Sequence, residues 1–139
     1  MRLYMCGPMT GLPDANRPEF ARATKKLRSQ GHFIIDPTEL DLPAKGASKV
    51  DLALLWRAFL ARDIGIILTC DLDGIVALEG WERSRGARLE ALTGLMIGLC
   101  VVDEDLHQTP VVGMGLIDTM PTQDGAFAGM ALGCRGEMR

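Results

Sequence analysis

The sequence of 139 residues predicts an α/β fold: a Rossmann-like (flavodoxin-like) parallel sheet of about four to five strands flanked by helices. Three observations carry that reading. Short apolar runs alternate with longer helical ones in the order β-α-β-α-β-α-β, and parallel strands need such crossovers. The strand candidates are short and apolar throughout, as strands covered on both faces are. Two glycine-bearing loops, GPMTG and EGWERS, fall at strand carboxyl ends, where such sheets hold their ligands.

Residues 2–6, RLYMC, read as a short buried first strand, followed by the turn-rich GPMTGLPD. Asn16 reads as the cap of the first helix, with Pro18 in its first turn. Phe20, Ala23, Thr24 and Leu27 recur at i, i+3, i+4 and i+7, one face of a helix, and Gly31 ends it. HFIID is the second strand, closed by Pro37. Residues 37–49 read as loop, with Pro43 and Gly46 as breakers. Residues 50–70 have helical length and pattern, with Gly65 read as a joint within them. GIVAL at 74–78 is a fully buried third strand, residues 84–99 a helix, and CVVD at 100–103 the fourth strand. From Glu104 the chain is rich in Gly and Met and weakly periodic. It therefore divides into a domain over 1–103 and an extension over 104–139, where TPVVGMGLI reads as strand and GAFAGMAL as helix, a last element or an oligomer contact.

A chain of this length holds one core. Apolar content of 47% and charged content of 24% are ordinary for a globular protein. A net charge of −3 and a pI near 5.3 provide no basic stripe for a nucleic-acid polymer, although a small anion needs only a few donors. No run approaches the ~20 apolar residues of a membrane span, and MRLYMCGPMTG lacks a signal-peptide pattern. Cys6, Cys70, Cys100 and Cys134 are scattered with no C-x-x-C pair. With only His32 and His107 beside them, no zinc site is expected. Such cysteines suit free thiols in a reducing cytoplasm.

The first loop, Gly7, Pro8, Met9, Thr10 and Gly11, exposes backbone N–H groups ahead of a helix, which suits a phosphate or carboxylate. It matches neither a Walker A motif nor G-x-G-x-x-G, and an ordinary tight turn explains it equally. Ser84 is placed to cap a helix, with Gly86 just inside it. Glu90 follows six residues later, beside Leu89, Leu92 and Leu95. A carboxylate partly buried there has a perturbed pKa and becomes a candidate nucleophile or acid; the alternative is a solvated Glu paired with Arg83 or Arg88. Asp63, in LARDIGI, reads as a solvated helix position or a partner of Arg62 or Arg57. Trp81 reads either as a ring that stacks on a base or as a cap on the core. Tyr4, the single tyrosine, needs a partner for its hydroxyl if buried, and a carboxylate is a good one.

Taken together, LYMCGPMTG, NRPEFARATKKLRSQGHFIIDPTEL, RDIGIILTCD and SRGARLE resemble the nucleoside 2-deoxyribosyltransferase superfamily, over residues 2–100. The likeness is nearest to its small phage and bacterial members, with GPMTGLP and GWE-S-GA-LE, and to the nucleoside 5′-monophosphate N-glycosidases. The resemblance implies that Glu90 is the nucleophile, Asp63 the second acidic residue, and Tyr4 the hydroxyl that orients Glu90. It also makes Ser84 informative. Members that act on free nucleosides carry an Asp there; those that hydrolyse 5′-monophosphates carry a Ser. An Asp repels a dianion, whereas a Ser at a helix N-terminus can donate to it. The sequence departs from the hydrolases in the first loop, where PMTG stands in place of an Arg. Arg83, Arg85 or Arg88 are the cations at hand.

The resemblance thus implies an enzyme without metal or other cofactor that cleaves a nucleoside 5′-monophosphate through a Glu90 glycosyl-enzyme. Gly7 to Gly11, with Ser84 and Gly86, would hold the phosphate, and Trp81 would face the base. Base exchange, capture of a nucleotide without turnover, and cleavage of a dinucleotide are the alternatives. The family also implies at least a homodimer, in which a neighbouring subunit completes the pocket. The base and the sugar stay open.

Overall fold

A computed structural model describes residues 1–41 and 49–109. Strands β1 (Arg2–Cys6), β2 (Phe33–Ile35), β3 (Gly74–Ala77) and β4 (Cys100–Val102) form one parallel sheet in the order β2-β1-β3-β4. Helices α1 (Arg17–Ser29), α2 (Pro37–Leu40), α3 (Lys49–Thr69) and α4 (Arg85–Met96) lie between and upon them. This is the α/β fold that the alternation of elements predicts.

Side chains alternate across each strand, and both faces of the sheet are covered. Leu3 and Met5 of β1 and Val76 of β3 pack with Phe20, Ala23 and Leu27 of α1. Tyr4 and Cys6 of β1 and Ile75 and Ala77 of β3 point the other way, toward Ile67 of α3 and Ala87 and Ala91 of α4. The alternation therefore fixes the face that Tyr4 shares with α4.

Four local readings are corrected. Asn16 does not cap α1 through its side chain. Asp14, Ala15 and Asn16 all have φ near +50°, at 47°, 50° and 60°. The Asn16 amide instead donates to the Pro8 carbonyl at 2.9 Å, tying the start of α1 to the first loop. Residues 37–40, read as loop, form α2, with Pro37 in its first turn. Asp36 caps it: its Oδ1 accepts from the Thr38 N–H at 2.9 Å, while Thr24 of α1 donates to Oδ2 at 2.8 Å. Gly65 marks no joint, since α3 runs unbroken to Thr69. A helical Gly costs only about 1 kcal/mol, and Ile66 and Ile67 hold that turn against the core. Free thiols are found at Cys6 and Cys70, whereas Cys100 is disulfide-bonded.

Ser84 does cap α4, accepting from the Ala87 N–H at 3.3 Å. Farther along, a Cβ at Gly94 would run into Ile75 Cδ1. That position lets α4 lie close on β3. Pro43, Gly46 and Cys134, the readings of strand and helix for residues beyond Thr109, and the neighbouring-subunit contact lie outside the described residues. No described helix is long and apolar enough to cross a membrane.

Candidate active site

The order β2-β1-β3-β4 reverses between β1 and β3, because the chain leaves them in opposite directions. Such a point opens a crevice at the carboxyl ends of the two strands. Here the loops after β1 and β3 line a cleft with the first turn of α4 and the flank of α3. Gly7 is required where they meet: a Cβ there would lie 3.0 Å from Leu78 Cβ and 3.2 Å from the Phe20 ring. The cleft, about 1820 Å³, exceeds the roughly 300–1,000 Å³ of a usual small-molecule site, so volume does not select the ligand.

At its floor lie two carboxylates. Glu90, one turn and a half into α4, is 7% exposed, and Asp63 on α3 is 6% exposed. The Tyr4 hydroxyl, fully buried behind them, donates to Glu90 Oε1 at 3.3 Å. Burial pushes the Glu90 carboxyl up to about 8, with the Asp63 charge adding to the rise and the Tyr4 bond opposing it. Burial also raises Asp63, against the pull of Arg62. Tyr4 and the Cys6 thiol are raised by burial and by Glu90, so both stay protonated.

The solvated alternative for Glu90 is not what the fold produces: it pairs with neither Arg83 nor Arg88. For Asp63, the pairing with Arg62 is present, but on a buried rather than a solvated side chain. Arg62 Nε donates to Asp63 Oδ1 at 2.8 Å. Among the described residues no group of three metal-ligating side chains is assembled.

Gly7, Pro8, Met9, Thr10, Gly11, Ser84 and Gly86 all line the cleft. Gly86 opens onto free space. Arg57, Arg83 and Arg85 line it too and make no ion pair among the described residues; Arg85 lies over the Trp56 ring at 5.8 Å. Trp81 is different. It borders the cleft but is 2% exposed and packs with Tyr4, Ala77 and Ala87. Of its two readings, the cap on the core is the one the structure shows, and an open stacking face is not available.

Sequence reasoning missed Asp41. Its side chain is 6% exposed, 2.9 Å from Arg62 Nη2 and 3.8 Å from Arg17 Nη2. The pair at Oδ1 lacks the alignment of a hydrogen bond. No spacing signals this contact, because Asp41 and Arg62 come from elements that only the tertiary fold brings together. The adjacent Arg62 and Asp63 were the one visible hint.

A family model described as a domain of unknown function, DUF4406, matches residues 1–103. None of the curated proteins compared with the chain matches it. Among solved structures the chain is similar to a 2-deoxyribosyltransferase from the psychrotolerant bacterium Bacillus psychrosaccharolyticus, characterised as a biocatalyst for nucleoside synthesis. The identity is 14% and the TM-score 0.49, over 94% of this chain and 96% of that one.

Proposed function

The chain belongs to the DUF4406 family of unknown function, and we propose that it cleaves the base–sugar bond of a (deoxy)nucleoside 5′-monophosphate. One observation carries this reading: a buried Glu90, held by a tyrosine hydroxyl and beside a second buried carboxylate, at the floor of a cleft at the switch point. A carboxylate kept from water and oriented by a donor is built to attack an electrophilic carbon.

In the first step a Glu90 oxygen bonds to C1′ as the C1′–N bond breaks, through an oxocarbenium-like transition state. Asp63 delivers a proton to the departing base. In the second step water attacks C1′, Asp63 takes its proton, and Glu90 leaves as carboxylate with release of the sugar 5-phosphate. The first loop and the first turn of α4 offer backbone N–H groups and the Ser84 hydroxyl to the phosphate, with Arg83 and Arg85 nearby as cations.

The test is incubation of the purified protein with ribo- and deoxyribonucleoside 5′-monophosphates and with the unphosphorylated nucleosides, with chromatography for free base. Release from monophosphates alone is expected. Glu90→Ala should abolish release and leave binding measurable. Equal release from the variant would sink the mechanism, and a new nucleotide formed when a second base is added would make the enzyme a transferase.

A further inference from the structure

Arg62 takes no part in the reaction as drawn, yet it is held from several directions. Its guanidinium lies 5.2 Å from the centre of the Phe59 ring. Nε and Nη2 both lie 2.8 Å from Asp63 Oδ1. Nη2 also reaches Asp41 Oδ1 at 2.9 Å and the Pro37 carbonyl at 3.5 Å. Asp41 is faced in turn by Arg17, which donates to the Thr38 carbonyl at 2.7 Å. Arg62 is therefore a fork that joins α3 to the segment after α2 behind the cleft floor. The planar guanidinium suits that task; a lysine ammonium is a single point.

The two reacting carboxylates are treated unequally. The Asp63 side chain is more than nine-tenths buried and paired with a cation. Glu90 is buried as deeply, yet among the described residues its hydrogen-bond partner is the neutral Tyr4 hydroxyl. A buried carboxylate keeps its charge when it is paired and gains a proton when it is not. The other groups facing the pair are Cys6 on β1 and Asp41 after α2, and Arg17 on α1 faces Asp41 rather than the pair.

We propose that Arg62 is a positioning residue for the reacting pair: by pairing with Asp63 it keeps the negative charge there and leaves the proton of the pair on Glu90 while the cleft is empty. This rests on the reading of Glu90 and Asp63 as the reacting groups. The resting nucleophile is then capped by the proton that the departing base will need. On substrate binding that proton passes from Glu90 to Asp63, then to the base. Water later returns a proton to Asp63, and the pair resets without net gain or loss.

The experiment is a titration of the side-chain carboxyl carbons by carbon-13 NMR, on the ligand-free full chain. In the wild type, Asp63 should lose its proton at lower pH than Glu90. Arg62→Gln should raise the Asp63 midpoint by about 1–3 pH units, and Arg62→Lys should bring it back toward the wild type. A wild-type Asp63 that titrates with or above Glu90 overturns the proposal. So does an unmoved Asp63 midpoint in an Arg62→Gln protein whose circular dichroism is native. Should Arg62→Gln not fold, the order of the two midpoints in the wild type and in Arg62→Lys decides. The titration needs no substrate, so it separates two failures. The expected order without base release removes the reaction but not the charge placement; base release with the reversed order does the opposite.

Discussion

Glu90 sits where an ionised group is costly, and its partner Tyr4 stands 86 positions earlier in the chain. Attack requires the carboxylate, and burial pushes Glu90 up to about 8. The departing base, however, needs the one proton of the pair, and that proton leaves Glu90 above this value, so base release, measured as kcat/KM, should hold level just below it and fall about tenfold per pH unit above it. The Tyr4 bond favours the ionised form, so Tyr4→Phe should move the midpoint still higher and slow the reaction at neutral pH about 10- to 100-fold. Stability should also fall as pH rises. A folded-state value of about 8 against an ordinary 4.5 means that the folded chain binds this proton more tightly than the unfolded one. The associated stability is complete below 4.5 and is lost as pH rises through 8. Glu90→Gln, which cannot ionise, should melt close to the wild type at pH 4–5 and above it from pH 8 upward, by a few kcal/mol at most. Calorimetry across that range checks the sign. An arginine beside a helical aspartate is visible in any sequence, but a buried acid with a neutral partner is not, because burial belongs to the completed fold.

Helix α4 carries Glu90 and starts at Ser84, so its placement on β3 sets the site. Gly94→Ala would drive a methyl into Ile75, with an overpacking cost of about 1–3 kcal/mol. Denaturant unfolding should show the loss, and activity should fall with it as α4 lifts. At the other end of the helix, Ser84→Asp keeps the cap but adds a negative charge. It should raise KM for 5′-monophosphates about tenfold or more, a difference of ~1.4 kcal/mol per decade. An unchanged KM in a variant of native circular dichroism would remove Ser84 from phosphate recognition. These elements were legible because their signals are local. The period of Phe20, Ala23, Thr24 and Leu27, the stop at Gly31 and the cap at Ser84 each span a turn or two. The misreadings share the opposite cause. Asn16 stands at the cap position as read, but its side chain bonds the first loop instead of the helix. Asp36 was taken for a strand end but caps α2 and binds Thr24 of another helix. Gly65 was taken for a joint but is carried through by the packing of its neighbours.

Over the whole molecule, alternation of elements was enough to predict a parallel sheet, and the ends of the strands were enough to place the cleft. The strand order was not written locally; it emerges from the central position of β1, which pairs with both β2 and β3. That position has a kinetic consequence. The first strand made has its second edge filled only once β3 is in place, and the residue it contributes to the site meets its partner only after the chain has reached the middle of α4. Contacts so distant in sequence form late, because loop closure must precede them. On refolding from denaturant, far-UV ellipticity should therefore return before base release does, and simultaneous recovery would contradict this order. A chain halted before residue 90 would lack the group proposed to attack: the site comes into being only as folding ends.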